Sequence, residues 1–326
     1  MGNNCSSLDS IGGNEYLKRL CSAEVLSEND PFWNSLLAFS LVDLDLVAMS
    51  SSNSKLLDDT VKSLCKNLAI NSVKTANFHT LVNYFVHRLD AVIMHGVDSD
   101  STNPFIWQVL NALFIIRNVC KYFIQHLSEE VIIQQFLKPG SDIPDAENGK
   151  SQVKDQTITS FMESLAKGIT DITIHETTVL LHLEMVNTLI TLLGMVMYNT
   201  DSATNNIFYI EVMEGDSEDR ASLLAHSLLS MYAHRDGIPS FVYMEDESSS
   251  LSSTLWSVMT LGMSGGGASE VKKVNLGTQS LLLLLVLAHH NNSQNPYTKA
   301  LSSFMDEERH YMVKPEVSFT LVLGRL

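Results

Sequence analysis

Apolar positions return every three to four residues through most of the chain. Phe78, Leu81, Val82, Phe85, Val86, Leu89, Val92 and Ile93 stand at i, i+3, i+4, i+7, i+8, i+11, i+14 and i+15. A helix lines such positions in one stripe, so the spacing predicts an amphipathic helix there. Leu56, Leu57, Val61, Leu64, Cys65 and Leu68 keep the same beat, as do Ile158, Phe161, Met162, Leu165, Ile169 and Ile172, and then Tyr297, Ala300, Leu301, Phe304 and Met305. Helix starts are written three times in one idiom, Asp30-Pro31, Asn103-Pro104 and Asn295-Pro296. The first residue offers a capping oxygen, and the proline takes the first helical position, where no donor is missed.

Alternating, strand-like stretches are few and short: 207–213, 238–244 and 317–323, with no Asn-Gly or Asp-Gly turn joining any two. The expected class is all-α, with roughly ten helices. Several helices are apolar over much more than one face, as the middle layer of a stack must be. An irregular α-solenoid of armadillo or HEAT type is therefore expected rather than a bundle, although no repeat of fixed period appears. Long connections fall at 138–156, 245–253 and 262–277. The expected organisation is a flexible tail over 1–13, a helical domain over 14–312 and an atypical, truncated-looking end over 313–326.

Two stretches require testing as membrane spans. Residues 177–198 are long enough, but Glu184, Asn187, Thr188 and Thr191 fall at i, i+3, i+4 and i+7 and line one hydrogen-bonding face. The purely apolar run 281–288 covers about a third of the roughly 20 residues a crossing needs. Both read as core helices.

Composition narrows the partners. The 326 residues are 45% hydrophobic and 18% charged, which excludes a disordered chain, and the net charge of -16 repels phosphate backbones. No nucleic-acid partner is expected. Cys5, Cys21, Cys65 and Cys120 show no C-x-x-C spacing and no paired histidines to complete a zinc site, so a reducing compartment and no metal are expected. The first 14 residues have neither the basic nor the apolar region of a secretory signal.

The chain begins Met-Gly-Asn-Asn-Cys-Ser. Removal of Met1 would expose Gly2 as an N-myristoyl acceptor, with Ser6 as the small hydroxyl that the pattern requires. One acyl chain holds a protein only marginally and reversibly, so stable residence needs a second signal. Through Asp30 the only basic side chains are Lys18 and Arg19, against Asp9, Glu15, Glu24, Glu28 and Asp30, which rules out a polybasic patch. Palmitoylation of Cys5 or a protein partner remains. Gly262-Met263-Ser264-Gly265-Gly266 satisfies the G-x-S-x-G pattern of serine hydrolases, but no strand-turn-helix context surrounds Ser264. No catalytic residue, cofactor or small-molecule substrate is assigned. His289 and His290 are neighbours that point about 100° apart on a helix and read as surface histidines at a helix end, while His175, His182 and His226 stand singly and read as structural. Trp33, Trp107 and Trp256 sit near helix starts. With Asp30, Pro31 and Phe32 they are candidates for packing or partner binding.

At 27–40, SENDPFWNSLLAFS, the chain closely resembles the dymeclin family. NEYLKRL at 14–20, FIWQVLNALFIIR at 105–117, TLWSVMTLG at 254–262 and QSLLLLLVLAHHNNSQNPYTKALSSF at 279–304 support the likeness, while 141–250 aligns loosely. The resemblance implies a non-enzymatic, N-myristoylated, largely helical protein that moves between cytosol and Golgi membrane. It also implies Golgi-associated protein partners and a role in Golgi organisation and vesicle traffic. Family members are longer, so the resemblance also implies that this chain is a truncated product or gene model. Two other readings stand beside it: a purely cytosolic helical scaffold, and a serine hydrolase using Ser264.

Overall fold

The computed structural model describes residues 13–38, 51–96, 104–138, 156–197, 206–214, 218–234, 241–243, 272–274, 276–289 and 294–311. The fold is all-α. The helices are α1 (Glu15–Leu20), α2 (Phe32–Ala38), α3 (Ser51–Thr75), α4 (Asn77–His95), α5 (Pro104–His126) and α6 (Glu129–Phe136). They continue with α7 (Gln156–Asp171), α8 (Val179–Leu193) extended by a 3₁₀ turn (Gly194–Met197), α9 (Ile207–Glu214), α10 (Glu218–Ala233), α11 (Leu276–His289) and α12 (Pro296–Tyr311).

Two of the three capped starts lie on described residues and act as such. Asp30 Oδ1 accepts from the Phe32 amide at 2.8 Å, with Pro31 between them, and Asn295 Oδ1 accepts from Tyr297 and Thr298 at 2.9 and 3.2 Å. Asn103 lies outside the described residues, while Pro104 opens α5 as expected. The 78–93 stripe is the inner face of α4: Phe78, Leu81, Val82, Phe85, Leu89 and Val92 are fully buried. Only Ala76 separates α3 from α4. It adopts the left-handed conformation at φ 57°, and its amide donates to Ser72 O, which turns the chain through a corner. Gly96, at φ 68°, ends α4 in the manner favoured by glycine.

One strand expectation is overturned. Residues 207–213 form α9, because Asn206 Oδ1 accepts from the Phe208 amide at 2.9 Å and Asn206 O from Ile210 at 3.0 Å. Glu129 Oε1 takes the first free amide, that of Ile207. The Ile, Phe, Tyr and Val side chains favour strands, but Phe208, Tyr209 and Met213 share a helical face buried near α7 and α8. From 238–244, Phe241–Tyr243 (β1) does form a strand, paired antiparallel with Lys272–Val274 (β2) in the register Phe241–Val274, Val242–Lys273 and Tyr243–Lys272. Residues 317–323 lie outside the described ones.

The longer helices pack in two rows. Helices α5, α8 and α11 touch in that order, and beside them α4, α7, α10 and α12 do the same. Cross-contacts α4–α5, α7–α8 and α10–α11 tie the rows together, while α1, α2, α3 and α6 gather around α4 and α5. Val179–Val196 is long and apolar enough to cross a membrane, yet 72% of it is buried among other helices. Its polar residues serve the interior: Glu184, 1% exposed, meets Arg117 Nε of α5 at 2.5 Å, and Thr188 Oγ1 donates to Glu184 O. In α11, Ser280, Leu283, Leu284 and Leu287 face inward, so the apolar 281–288 run is core.

Candidate functional site

The family-like segment, described over 27–38, sits where α1, α2, α3 and α4 meet, and side-chain amides hold it and the loop that leads into it. After α1 the backbone leaves helical conformation for about ten residues, and its polar groups need partners. Asn77, fully buried at the start of α4, donates from Nδ2 to Leu20 O and Glu24 O at 3.1 and 2.9 Å, while its Oδ1 accepts from the Leu26 amide at 3.0 Å. Asn71 Nδ2 donates to Cys21 O at 2.9 Å, and Asn111 Nδ2 donates to Leu37 O at 2.9 Å. Arg19 pairs with Glu24 at 2.6 Å, lies 3.6 Å from Asp30 and covers the Phe32 ring at 5.0 Å. Its hydrogen bond holds the exposed Glu24 carboxyl below the usual range.

Trp33 is 1% exposed, edge-on to Phe32 and stacked on Tyr84, and its indole N–H donates to Ser27 O at 2.8 Å. Phe32 is buried too, while Asp30 caps and Pro31 is exposed. Of the partner-binding candidates, Phe32 and Trp33 are therefore packing residues. Trp107 differs: it stands 44% exposed on α5, two residues after Phe105, the ring that Arg88 covers. Gly2, Cys5, Ser6, Trp256 and Ser264 lie outside the described residues.

Three cysteines, Cys21 of α1's end, Cys65 of α3 and Cys120 of α5, are free and buried. Burial raises all three thiols, Cys21 and Cys65 to about 12, which keeps them protonated and unreactive. Among the described residues no group of three or more His, Cys, Asp or Glu side chains could hold a metal. His182 is buried, with Nδ1 and Nε2 each 3.0 Å from a carbonyl, Thr178 O and Ile172 O. Burial lowers its pKa from the ordinary imidazole value, in keeping with a structural role. His226 is exposed, with its ring edge against Phe304.

The sequence reading missed Asn71, Asn77 and Asn111 as the ties of the corner. Asn77 carried a signal, since it is a polar residue immediately before the unbroken 78–93 stripe. Asn71 and Asn111 carried none.

The Dymeclin family model, described as "Dyggve-Melchior-Clausen syndrome protein", matches residues 1–326. This chain belongs to the dymeclin family. Mouse and chicken dymeclin are each 32% identical to it over 94% of its length, and dymeclin of Drosophila melanogaster is 27% identical over the same share. The chain spans about half the length of these curated relatives, 47%, 47% and 49%. No solved structure matches it.

Proposed function

We propose that this dymeclin-family chain is a non-enzymatic peripheral membrane protein, anchored reversibly by an acyl chain on Gly2 and serving Golgi organisation and vesicle traffic as a helical scaffold. The observation that carries the reading is the family match beginning at residue 1, which brings the Met-Gly-Asn-Asn-Cys-Ser start inside the family's own domain. The two helix rows support an irregular α-solenoid, in which each pair of helices packs on the next and leaves long faces for protein partners. Exposed Trp107 on α5 is the aromatic anchor offered by the described surface. The partners are Golgi-associated proteins, with the acyl chain on the cytosolic face of the membrane.

A single chain gives a membrane partition constant on the order of 10⁴ per molar, so the anchor is reversible and a second signal, Cys5 acylation or a protein partner, sets the residence time. Labelling cells with an alkyne myristate analogue and following photobleaching recovery tests this. Wild type incorporates the label and concentrates at the Golgi, and Gly2→Ala does neither. Slower exchange for wild type than for Cys5→Ser assigns the second signal to Cys5. A Gly2→Ala protein still at the Golgi refutes the anchor, and equal cytosolic distribution of both forms identifies a purely cytosolic scaffold.

A further inference from the structure

An apolar cavity opens between α1, α3 and α5, walled by Leu17 and Leu20, by Leu64 and Leu68, and by Phe114 and Val119. About 50 Å³ of it admits water-sized atoms, within ≈ 520 Å³ of unfilled space that includes its open mouth. Its wall presents no polar surface. Asn118 at the edge spends its amide on Phe114 O at 2.8 Å, and the Cys21 and Cys65 thiols that border it stay neutral. A buried water needs two to four polar partners, and this wall offers none, so the site favours an occupant without hydrogen-bonding groups. An alkyl chain is such an occupant.

The acyl group proposed on Gly2 would be one such chain. Helix α1 forms a wall and begins at Glu15, capped by Asn14, and Gly2 lies 12 residues before that cap. Twelve residues reach up to about 40 Å when extended, several times the ~9 Å length of α1, so an acyl group on Gly2 can return to the mouth. Tethering raises its effective concentration there to the millimolar range. A partition constant of only ~10⁴ per molar means that even a shallow pocket competes with the bilayer.

We propose that this cavity holds the distal end of the acyl chain borne by Gly2, so that the protein has an acyl-in form and an acyl-out, membrane-binding form. The proposal rests on the acylation reading given above. Full-length chain made together with an N-myristoyltransferase and ¹³C-labelled myristate tests it, once intact mass has established acylation. Nuclear Overhauser contacts from the labelled tail to Leu64, Leu68 and Val119 methyls are expected. Val119→Phe fills the cavity, and Val61→Trp, at its half-buried rim, closes the mouth with less risk to folding. Each is expected to raise partition onto neutral phosphatidylcholine vesicles roughly tenfold, with unchanged circular dichroism.

An acylated chain with no tail contacts, and with equal vesicle partition in wild type and Val61→Trp, overturns the acyl-in form and leaves acylation standing. A chain that is not acylated overturns the acylation reading and the tethered occupant together. The cavity is then judged by free ¹³C-myristate and the Gly2→Ala chain. Saturable binding abolished by Val61→Trp supports an acyl site, and no binding overturns it.

Discussion

The N-terminal corner and the two helix rows are held by different chemistry. In the corner, α1, the loop after it and α2 meet α3, α4 and α5 through Asn71, Asn77 and Asn111, each donating to a backbone carbonyl, while the Trp33 indole ties α2 to that loop through Ser27 O. In the rows, α4, α7, α8 and α10 meet through Leu, Phe and Met side chains, and α5 meets α8 around one buried charge pair. The difference follows from the backbone. A helix satisfies its own N–H and C=O groups except at its ends, so helix against helix needs only matched volume. A non-helical segment pressed against a core must be given partners. The corner should therefore fail by loss of a partner, and the rows by an error of volume or charge.

The largest effect is expected at Trp33. Trp33→Ala removes the largest fully buried side chain of the corner and one tie, and should destabilise by about 3–5 kcal/mol in a denaturant titration. An unmoved midpoint would show that the corner does not share the cooperative core. In the rows, Arg117→Met strands the buried Glu184 carboxylate and should cost about 3 kcal/mol. Adding Glu184→Leu should recover most of that loss, and a double variant as unstable as the single would show that volume, not charge, is the fault.

Asn77→Ala leaves Leu26 N–H and two carbonyls without their partner, for a loss of about 2–3 kcal/mol. Hydrogen exchange should quicken first at Leu26, and uniform quickening across α8 would contradict a local tie. Gly168 of α7 lets neighbours in the rows come close, because a Cβ there would stand 2.5 Å from Met185 Sδ and 3.2 Å from Leu89 Cδ2. Overpacking by about 2 kcal/mol outweighs the ~1 kcal/mol of helix propensity gained, so Gly168→Ala should lower stability by about 1 kcal/mol. A raised calorimetric midpoint would show that the methionine moves aside freely. The smallest change has the opposite sign. Ala76→Gly relieves the left-handed strain between α3 and α4 against a greater unfolded-state entropy, for a net gain of about 0.5 kcal/mol. A loss at that position would mean that the Ala76 methyl contributes packing which outweighs the strain.

The helical class, the stripe of α4 and the caps at Asp30 and Asn295 were legible from spacing, because each is decided within a few residues of chain. The proposed acylation at Gly2 rests likewise on local sequence, and Gly2 lies outside the described residues. The reading of 207–213 as a strand failed because β-branched and aromatic residues suit any half-buried surface, and the Asn206 cap, together with burial near α7 and α8, selected the helix. For Trp33 packing was the first reading and a partner the second, and burial of Phe32 and Trp33 at 3% and 1% exposure agrees with packing.

By itself the sequence determined what depends on neighbours along the chain: helix periodicity, capping, net charge and the family-like 27–40 segment. Tertiary structure alone decided which amide meets which carbonyl 50 to 74 positions away, which charge Glu184 faces and where α1, α3 and α5 leave room unfilled. Those outcomes depend on how helices cross. A crossing is fixed by the fit of whole surfaces, and no short stretch of sequence contains both sides of it.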